Sequence, residues 1–460
     1  MRKLLVLDVA ALTHRLLPHA PRLAALAREG FAGRIVPAMP AVTCPAHASM
    51  LTGALPRDHG IVGNGWYFRD LAEVWLWRQS NMLVTAPKVW DRLREERPGL
   101  TVAKLFWWYN MYSTADISAT PRPHYLADGR KIPGIYTQPA DLEKELESAL
   151  GRFPLFNFWG PAADIRSSRW IVDAAVRVLE RRAPDLAFVY LPHLDYDLQR
   201  FGPDSPEALR AVAELDAEAA RLIDAARGRD YAILVVADYA ITAVTGAVPI
   251  NRLLREHGFL AVRESLAGEL LDCGASRAFA VADHQAAHVY VNDRSALAAV
   301  RDLLAGDAGI AAVLDQEGKR AHGLDHPRSG ELVALSRPDR WFAYGWWLDD
   351  ARAPDFARTV DIHRKPGYDP CELFFDPAKR CVRLRAALKL ARRALGFRTV
   401  FDLIGLDPSI VRGSHGAPAA AGGDAPVLIG SVREAARESV AAHEVAEVIA
   451  EIVRGGGCRL

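Results

Sequence analysis

The sequence predicts an α/β fold: a three-layer sandwich of helices around a mainly parallel sheet, with a smaller α+β cap inserted into it. Three observations lead there. Short apolar runs at 3–7, 186–191, 232–236 and 426–429 lack polar alternation, as strands buried on both faces do. Between them lie amphipathic stretches such as 207–227, where Leu209, Val212, Leu215, Ala219 and Leu222 recur at helical spacing. In contrast, 249–397 contains alternating segments, HVYVND and WFAYGWWLD, that read as antiparallel strands.

The 460 residues are about three times the ~150 of a typical domain, so one enlarged domain or two are expected. The chain divides into a core at 1–248, a cap at 249–397 and the C-terminal part of the core at 398–460. Within the first part, 65–170 is rich in aromatic residues and reads as an insertion or pocket wall. PAAAGGD at 418–424 reads as a loop, and 431–453 as a closing helix before Gly456 and Gly457.

With 57 Lys+Arg against 56 Asp+Glu the formal charge is +1, and half the residues are apolar. That balance argues against disorder and against a nucleic-acid polymer as partner. The five cysteines are scattered without a CxxC pair, which points away from a disulfide framework or a cysteine zinc site. The N-terminal MRKLLVLD meets Asp8 too early for a signal peptide and is expected to be a strand. The apolar tract at 231–250 is broken by Asp238, Gly246 and Pro249, so no transmembrane segment is expected and a cytoplasmic location is.

Asp8, Asp195 and Asp238 each fall at or a few residues beyond the end of an expected strand. One such aspartate is a turn former or helix cap, but a parallel sheet would gather three at its carboxyl edge, where α/β folds bind ligands. Thr43 stands before Pro45 and a helix-compatible run, which makes it an N-cap by residue type alone. The same placement puts a hydroxyl at a positive helix end, where an alkoxide and a phosphate are both stabilised.

The LDV at Asp8, the TCPAHASMLTGALPRDHGIVGN block from Thr43 to Asn64 and the GSHG around His415 resemble the alkaline phosphatase superfamily, most closely its type I phosphodiesterase/nucleotide pyrophosphatase branch. The resemblance covers about 1–70, 170–245 and 400–432, and implies an alkaline phosphatase-like fold. It implies Thr43 as nucleophile, Asn64 as a contact to a phosphoryl oxygen, Asp8, Thr43 and Asp238 as ligands of one divalent metal, and Asp195 and His415 as ligands of a second. Divalent ions at such positions lower a hydroxyl pKa and neutralise the oxygens of an in-line displacement.

Two imidazoles of the family pattern are missing, for Gln199 and Tyr239 stand in their places. Their loss shifts preference from zinc toward manganese or magnesium, or weakens one site. His193 and Asp197 flank Asp195 and, on a strand, would share its face. His363 is a second candidate ligand, with Arg364 and Lys365 beside it as candidate phosphate binders. His284, His288, His322 and His326 are weaker candidates, since a cap histidine is commonly structural. A sulfatase would need arginine where Ala48 stands after Cys44, so that reading is poor.

The reading is thus a metal-dependent phosphohydrolase cleaving a phosphodiester or pyrophosphate bond of a small molecule through a phospho-threonine. The alternatives are an inactive superfamily member acting as a binding protein, a phosphonate hydrolase, or a phosphomutase-like isomerase. The oligomeric state is not legible.

Overall fold

The computed structural model describes residues 1–127, 130–418 and 424–455. Most of the 418–424 stretch, the glycines at 456 and 457 and Cys458 therefore lie outside the described residues.

A nine-stranded sheet forms the centre, in the order Ser439–Ala441, Phe31–Val36, Val427–Gly430, Tyr231–Val236, Lys3–Val9, Leu186–Leu191, Val102–Leu105, Ile117–Pro121, Ile135–Gln138. All strands run the same way except Val427–Gly430 and Ile135–Gln138. The run at 426–429 was expected to be parallel. It instead enters antiparallel between Phe31–Val36 and Tyr231–Val236, a direction that apolar composition does not encode.

Helices cover both faces, which is why Leu4, Leu5, Val6 and Leu7 are all fully buried. Pro21–Glu29, Ile165–Arg181, His193–Phe201 and Pro206–Arg227 pack together on one side, and Thr43–Thr52, Val89–Glu96 and Val445–Arg454 on the other. Pro206–Arg227 matches the expected helix, and its start is fixed by the Ser205 hydroxyl, which accepts from the Ala208 N–H with Pro206 in the first turn.

The aromatic-rich stretch is woven into this core, contributing three strands at the sheet's far edge. Its tryptophans mask strands as short as Val102–Leu105. The C-terminal stretch is a helix only over Val445–Arg454, preceded by the edge strand Ser439–Ala441.

Beyond Val248 the chain forms a four-stranded antiparallel sheet, Ala278–Asp283, Ala286–Val291, Leu332–Ser336 and Ile310–Leu314, with helices Leu297–Ala305 and Gln316–Ala321. HVYVND lies largely within it. WFAYGWWLD does not, for only its Trp341 and Phe342 are in a strand, and that strand pairs in parallel with Gly246–Val248. The other aromatic residues pack instead, Trp346 against Trp347 at 5.5 Å.

Cys44, Cys273, Cys371 and Cys381 are free. Among the described residues no helix is long and apolar enough to cross a membrane.

Candidate active site

Strand register gathers the three aspartates. Asp8 pairs with Tyr190 on one side and Val236 on the other, so the chain just past those two residues sits beside it. Asp238 follows Val236 by two residues, and Asp195 lies in the first turn of the helix after Leu191. All three are buried.

Burial pushes the Asp8 carboxyl well above the usual carboxylate range. It does the same to Asp238, to which the neighbouring Asp8 charge adds, and it lifts Asp195 to about 6. Asp8 Oδ1 and Asp238 Oδ2 have no hydrogen-bond partner among the described residues. Orphaned carboxylate oxygens in a dry, mutually repelling cluster are the donor set a divalent cation satisfies.

Thr43 opens the helix Thr43–Thr52 but does not cap it: Val42 is the N-cap and makes no side-chain bond. The Cys44 N–H is taken by Asn64 Oδ1 at 2.9 Å, from a loop some twenty residues later, which leaves the Thr43 hydroxyl free of capping duty. Asn64 is itself held by Asp283, whose oxygens accept from its backbone N–H at 2.7 Å and from Nδ2 at 3.0 Å. One of the two Nδ2 hydrogens is thereby engaged.

One turn after Thr43, His47 places Nε2 2.7 Å from Asp8 Oδ2 and 3.9 Å from Asp238 Oδ2. One ligand atom from each of the three lies within 4.8 Å of the others, a spacing that admits a cation. The imidazole, however, accepts the Trp108 N–H at Nδ1, 3.1 Å away, and burial holds it neutral. Its proton is therefore on Nε2, where it donates to Asp8, so His47 positions the carboxylate and does not ligate.

His415 shows the opposite tautomer. Its Nδ1 donates to the Ala41 carbonyl at 2.7 Å, which leaves Nε2 as a buried lone pair without a partner, 3.8 Å from Asp195 Oδ1. A ring nitrogen fixed by a backbone carbonyl, with the other free, is the arrangement of a metal-ligating histidine. The flanking glycines explain GSHG: a Cβ on Gly413 would collide with the Leu198 carbonyl oxygen, and Gly416 has a φ of 119°.

The two departures from the family pattern are structurally occupied. Tyr239 lies flat on His415, with centroids 3.5 Å apart and planes within 4°, and donates from its hydroxyl to Asp195 Oδ1 at 3.0 Å. His284 continues the stack between His415, at 3.8 Å, and Tyr368, at 3.6 Å, and the Tyr368 hydroxyl donates to Gln199 Oε1. A column of four rings thus links the chain after Tyr231–Val236 to the turn between Ala278–Asp283 and Ala286–Val291, with Asp195 and Gln199 fastened to its ends.

The remaining candidates fall elsewhere. His193 begins a helix and not a strand, so it and Asp195, two residues apart, face opposite ways; its Nε2 lies 3.3 Å from Glu214. Asp197 pairs with Arg200. Lys365 is buried between Asp369, at 2.7 Å, and Glu372, at 2.8 Å, and Arg364 pairs with Asp355, so neither lines the cleft or is free for phosphate. His363 is on the cleft wall, where the charges acting on it are Arg78, Lys131 and Asp361. His284 belongs to the column. His288 donates to the Val62 carbonyl and accepts from Gly330, which makes it structural, and His326 accepts from the Arg328 N–H.

Burial lowers His288 from 6.5 to about 4. A group depressed in the folded state contributes stability that is whole above 6.5 and is lost as pH falls toward 4. Urea unfolding of the wild type should therefore weaken with falling pH more steeply than that of His288→Gln, by about 1.4 kcal/mol per pH unit in that window. Equal slopes would show that His288 is charged in the fold.

Thr43, Asp195, Tyr239 and His415 open onto a cleft of about 500 Å³. Its walls are mostly apolar and aromatic, including Trp77, Trp108, Phe156, Trp159 and Phe401, and Arg78, Arg122 and Lys131 stand among them. Arg78 lies 4.1 Å over the Trp75 ring, and its buried Nε has no hydrogen-bond partner among the described residues.

Comparison with known proteins identifies the family and the fold. The sequence model of the type I phosphodiesterase/nucleotide pyrophosphatase family matches residues 4–369. An uncharacterized pyrophosphatase/phosphodiesterase of Schizosaccharomyces pombe is 25% identical over 201 residues, 43% of this chain and 34% of that protein, so the chain matches only about a third of that relative's length. Inactive murine ectonucleotide pyrophosphatase/phosphodiesterase 5 in complex with AMP superposes with a TM-score of 0.60 at 14% identity, covering 99% of this chain and 95% of the other. Phosphonoacetate hydrolase of Sinorhizobium meliloti 1021 in complex with phosphonoformate superposes with a TM-score of 0.61 at 15% identity, covering 99% and 96%. These two likenesses show the fold. The family match, over most of the chain, shows that the protein belongs to the type I phosphodiesterase/nucleotide pyrophosphatase family.

Proposed function

We propose that this family member hydrolyses a phosphodiester or pyrophosphate bond of a small organic substrate, with Thr43 as nucleophile and a divalent metal centre held by Asp8, Thr43, Asp238, Asp195 and His415. The observation that carries the reading is the convergence of an uncapped hydroxyl at a helix N-terminus with three buried carboxylates and the bare Nε2 of His415. A bound divalent ion supplies charge neutralisation and a lowered hydroxyl pKa. The Thr43 oxygen attacks phosphorus, the leaving oxygen departs in line, and water then cleaves the phospho-threonine. The helix N-terminus and the second Nδ2 hydrogen of Asn64 stabilise the phosphoryl oxygens, while His47 keeps Asp8 oriented.

With Tyr239 and Gln199 in place of imidazoles, the centre offers mainly oxygen ligands, which favours manganese or magnesium over a filled zinc pair. The division into a core of 1–248 and 398–460 and a cap of 249–397 belongs to the same proposal, the cap contributing His284 and Tyr368 to the cleft. A binding protein without turnover is the second reading, and the Tyr239–Asp195 hydrogen bond is the observation that favours it.

The deciding experiment is elemental analysis combined with hydrolysis of bis-p-nitrophenyl phosphate, p-nitrophenyl phosphate and a nucleotide p-nitrophenyl ester, with zinc, manganese and magnesium supplied separately. Metal-stimulated diester cleavage supports the enzyme. A protein inert to all three under every ion favours the binding-protein reading. In the outer cleft, Arg122→Met with Lys131→Met should raise KM about tenfold for a pyrophosphate substrate and leave bis-p-nitrophenyl phosphate unaffected, since losing charge-assisted contacts there removes uniform binding. An unchanged KM ratio would place the second phosphoryl group elsewhere.

A further inference from the structure

Among the described residues the helix Val382–Ala394 buries none. Leu384, Leu388 and Leu395 recur on one face and are 60%, 57% and 77% exposed, and Phe397 and Val400 just beyond are similarly open. Six of the large apolar side chains exposed in this structure thus fall between positions 384 and 400, counting Leu390. From Lys379 to Phe401 the chain carries Lys379, Arg380, Arg383, Arg385, Lys389, Arg392, Arg393 and Arg398 and no acidic residue, in a protein whose net charge is only +1. Lys389 is paired with Asp402 at 2.6 Å, while Arg385 and Arg392 flank the leucine face. On the opposite face, Ala386, Leu390 and Arg393 line the cleft.

An apolar stripe left in water and bordered by arginines, on a stretch of chain without an acidic residue, is complementary to a surface both apolar and anionic. We propose that the segment from Val382 to Val400 docks on the interface of an anionic lipid bilayer, with Leu384, Leu388, Leu395 and Phe397 entering the acyl boundary and the arginines meeting the headgroups, and that this brings the cleft's edge to the lipid. A protein partner or a second copy would cover the leucines without needing a stretch of eight basic residues and no acidic one between Lys379 and Phe401. The docking stands on the surface alone; only its use for delivering substrate rests on the hydrolase reading.

The test is co-sedimentation of the full chain with phosphatidylcholine vesicles with and without phosphatidylserine, at low and high salt. Binding is expected only with phosphatidylserine, weakened by salt and reduced at least about tenfold in Leu384→Glu/Leu388→Glu/Leu395→Glu. Circular dichroism and unchanged hydrolysis of bis-p-nitrophenyl phosphate report that the variant is folded. No binding to anionic vesicles, equal binding by the variant, or a concentration-dependent dimer broken by the same substitutions would each overturn the proposal. Vesicle binding by a protein inert to every phosphate ester would uphold the docking and remove the hydrolase reading, so the two fail separately.

Discussion

Thr43→Ala is expected to lower metal-stimulated diester turnover by roughly 10⁴-fold, the scale on which loss of an attacking hydroxyl is felt. The expectation rests on how the helix start is built. Asn64 satisfies the Cys44 N–H, so the Thr43 hydroxyl is not needed for the fold and its removal should cost little stability. Acid-quenched protein should carry a phosphoryl group at position 43 in the wild type and none in the variant. Thr43→Ser, which keeps the oxygen, should restore labelling. Since Asp8, Asp238, Asp195 and His415 remain, the metal content of Thr43→Ala should stay close to that of the wild type. Full turnover by Thr43→Ala would remove Thr43 as the nucleophile.

Asp238→Asn should show effects of opposite sign with and without metal. In metal-free protein Asp8 and Asp238 are two carboxyls whose proton affinity burial raises, and the Asp8 charge raises that of Asp238 further, so replacing Asp238 with a neutral amide removes a desolvated charge and should leave the thermal midpoint equal or higher. With metal at a hundred times its dissociation constant, the wild type gains about 2.7 kcal/mol that the variant largely forfeits. Thermal midpoints with and without a chelator read both signs at once. A variant that keeps the full metal-induced rise would show that Asp238 is not a ligand.

The parts of the fold legible in the sequence are those set by burial. Residues 3–7 and 186–191 lie between two helical layers, so their uninterrupted apolar runs identify them. Val102–Leu105 carries a lysine, Lys104, whose ammonium is buried against the carbonyls of Trp108 and Tyr109, and only tertiary contacts explain it. The direction of Val427–Gly430 depends on partners hundreds of residues away. In the site, the aspartates could be located because strand ends can be, whereas His193 was misplaced by taking a helix start for a strand end. His47 carried a local signal, four residues after Thr43 on one helix face. The ring column carried none, since it joins Tyr239, His284, Tyr368 and His415 across two sheets. The exposed helix at 382–394 had a plain periodicity, concealed by assigning the whole stretch to a cap.

The strand Val427–Gly430 lies between Phe31–Val36 and Tyr231–Val236, and His415 comes about a dozen residues before it. On the ribosome, then, Asp8, Asp195 and Asp238 emerge long before the segment that closes the gap between those two strands. Until it arrives, Phe31–Val36 has both edges open and the carboxyl cluster lacks its imidazole. Up to that point the nascent chain carries an incomplete sheet and a carboxyl cluster without its imidazole, so neither can be completed before the chain from His415 to Gly430 has been added.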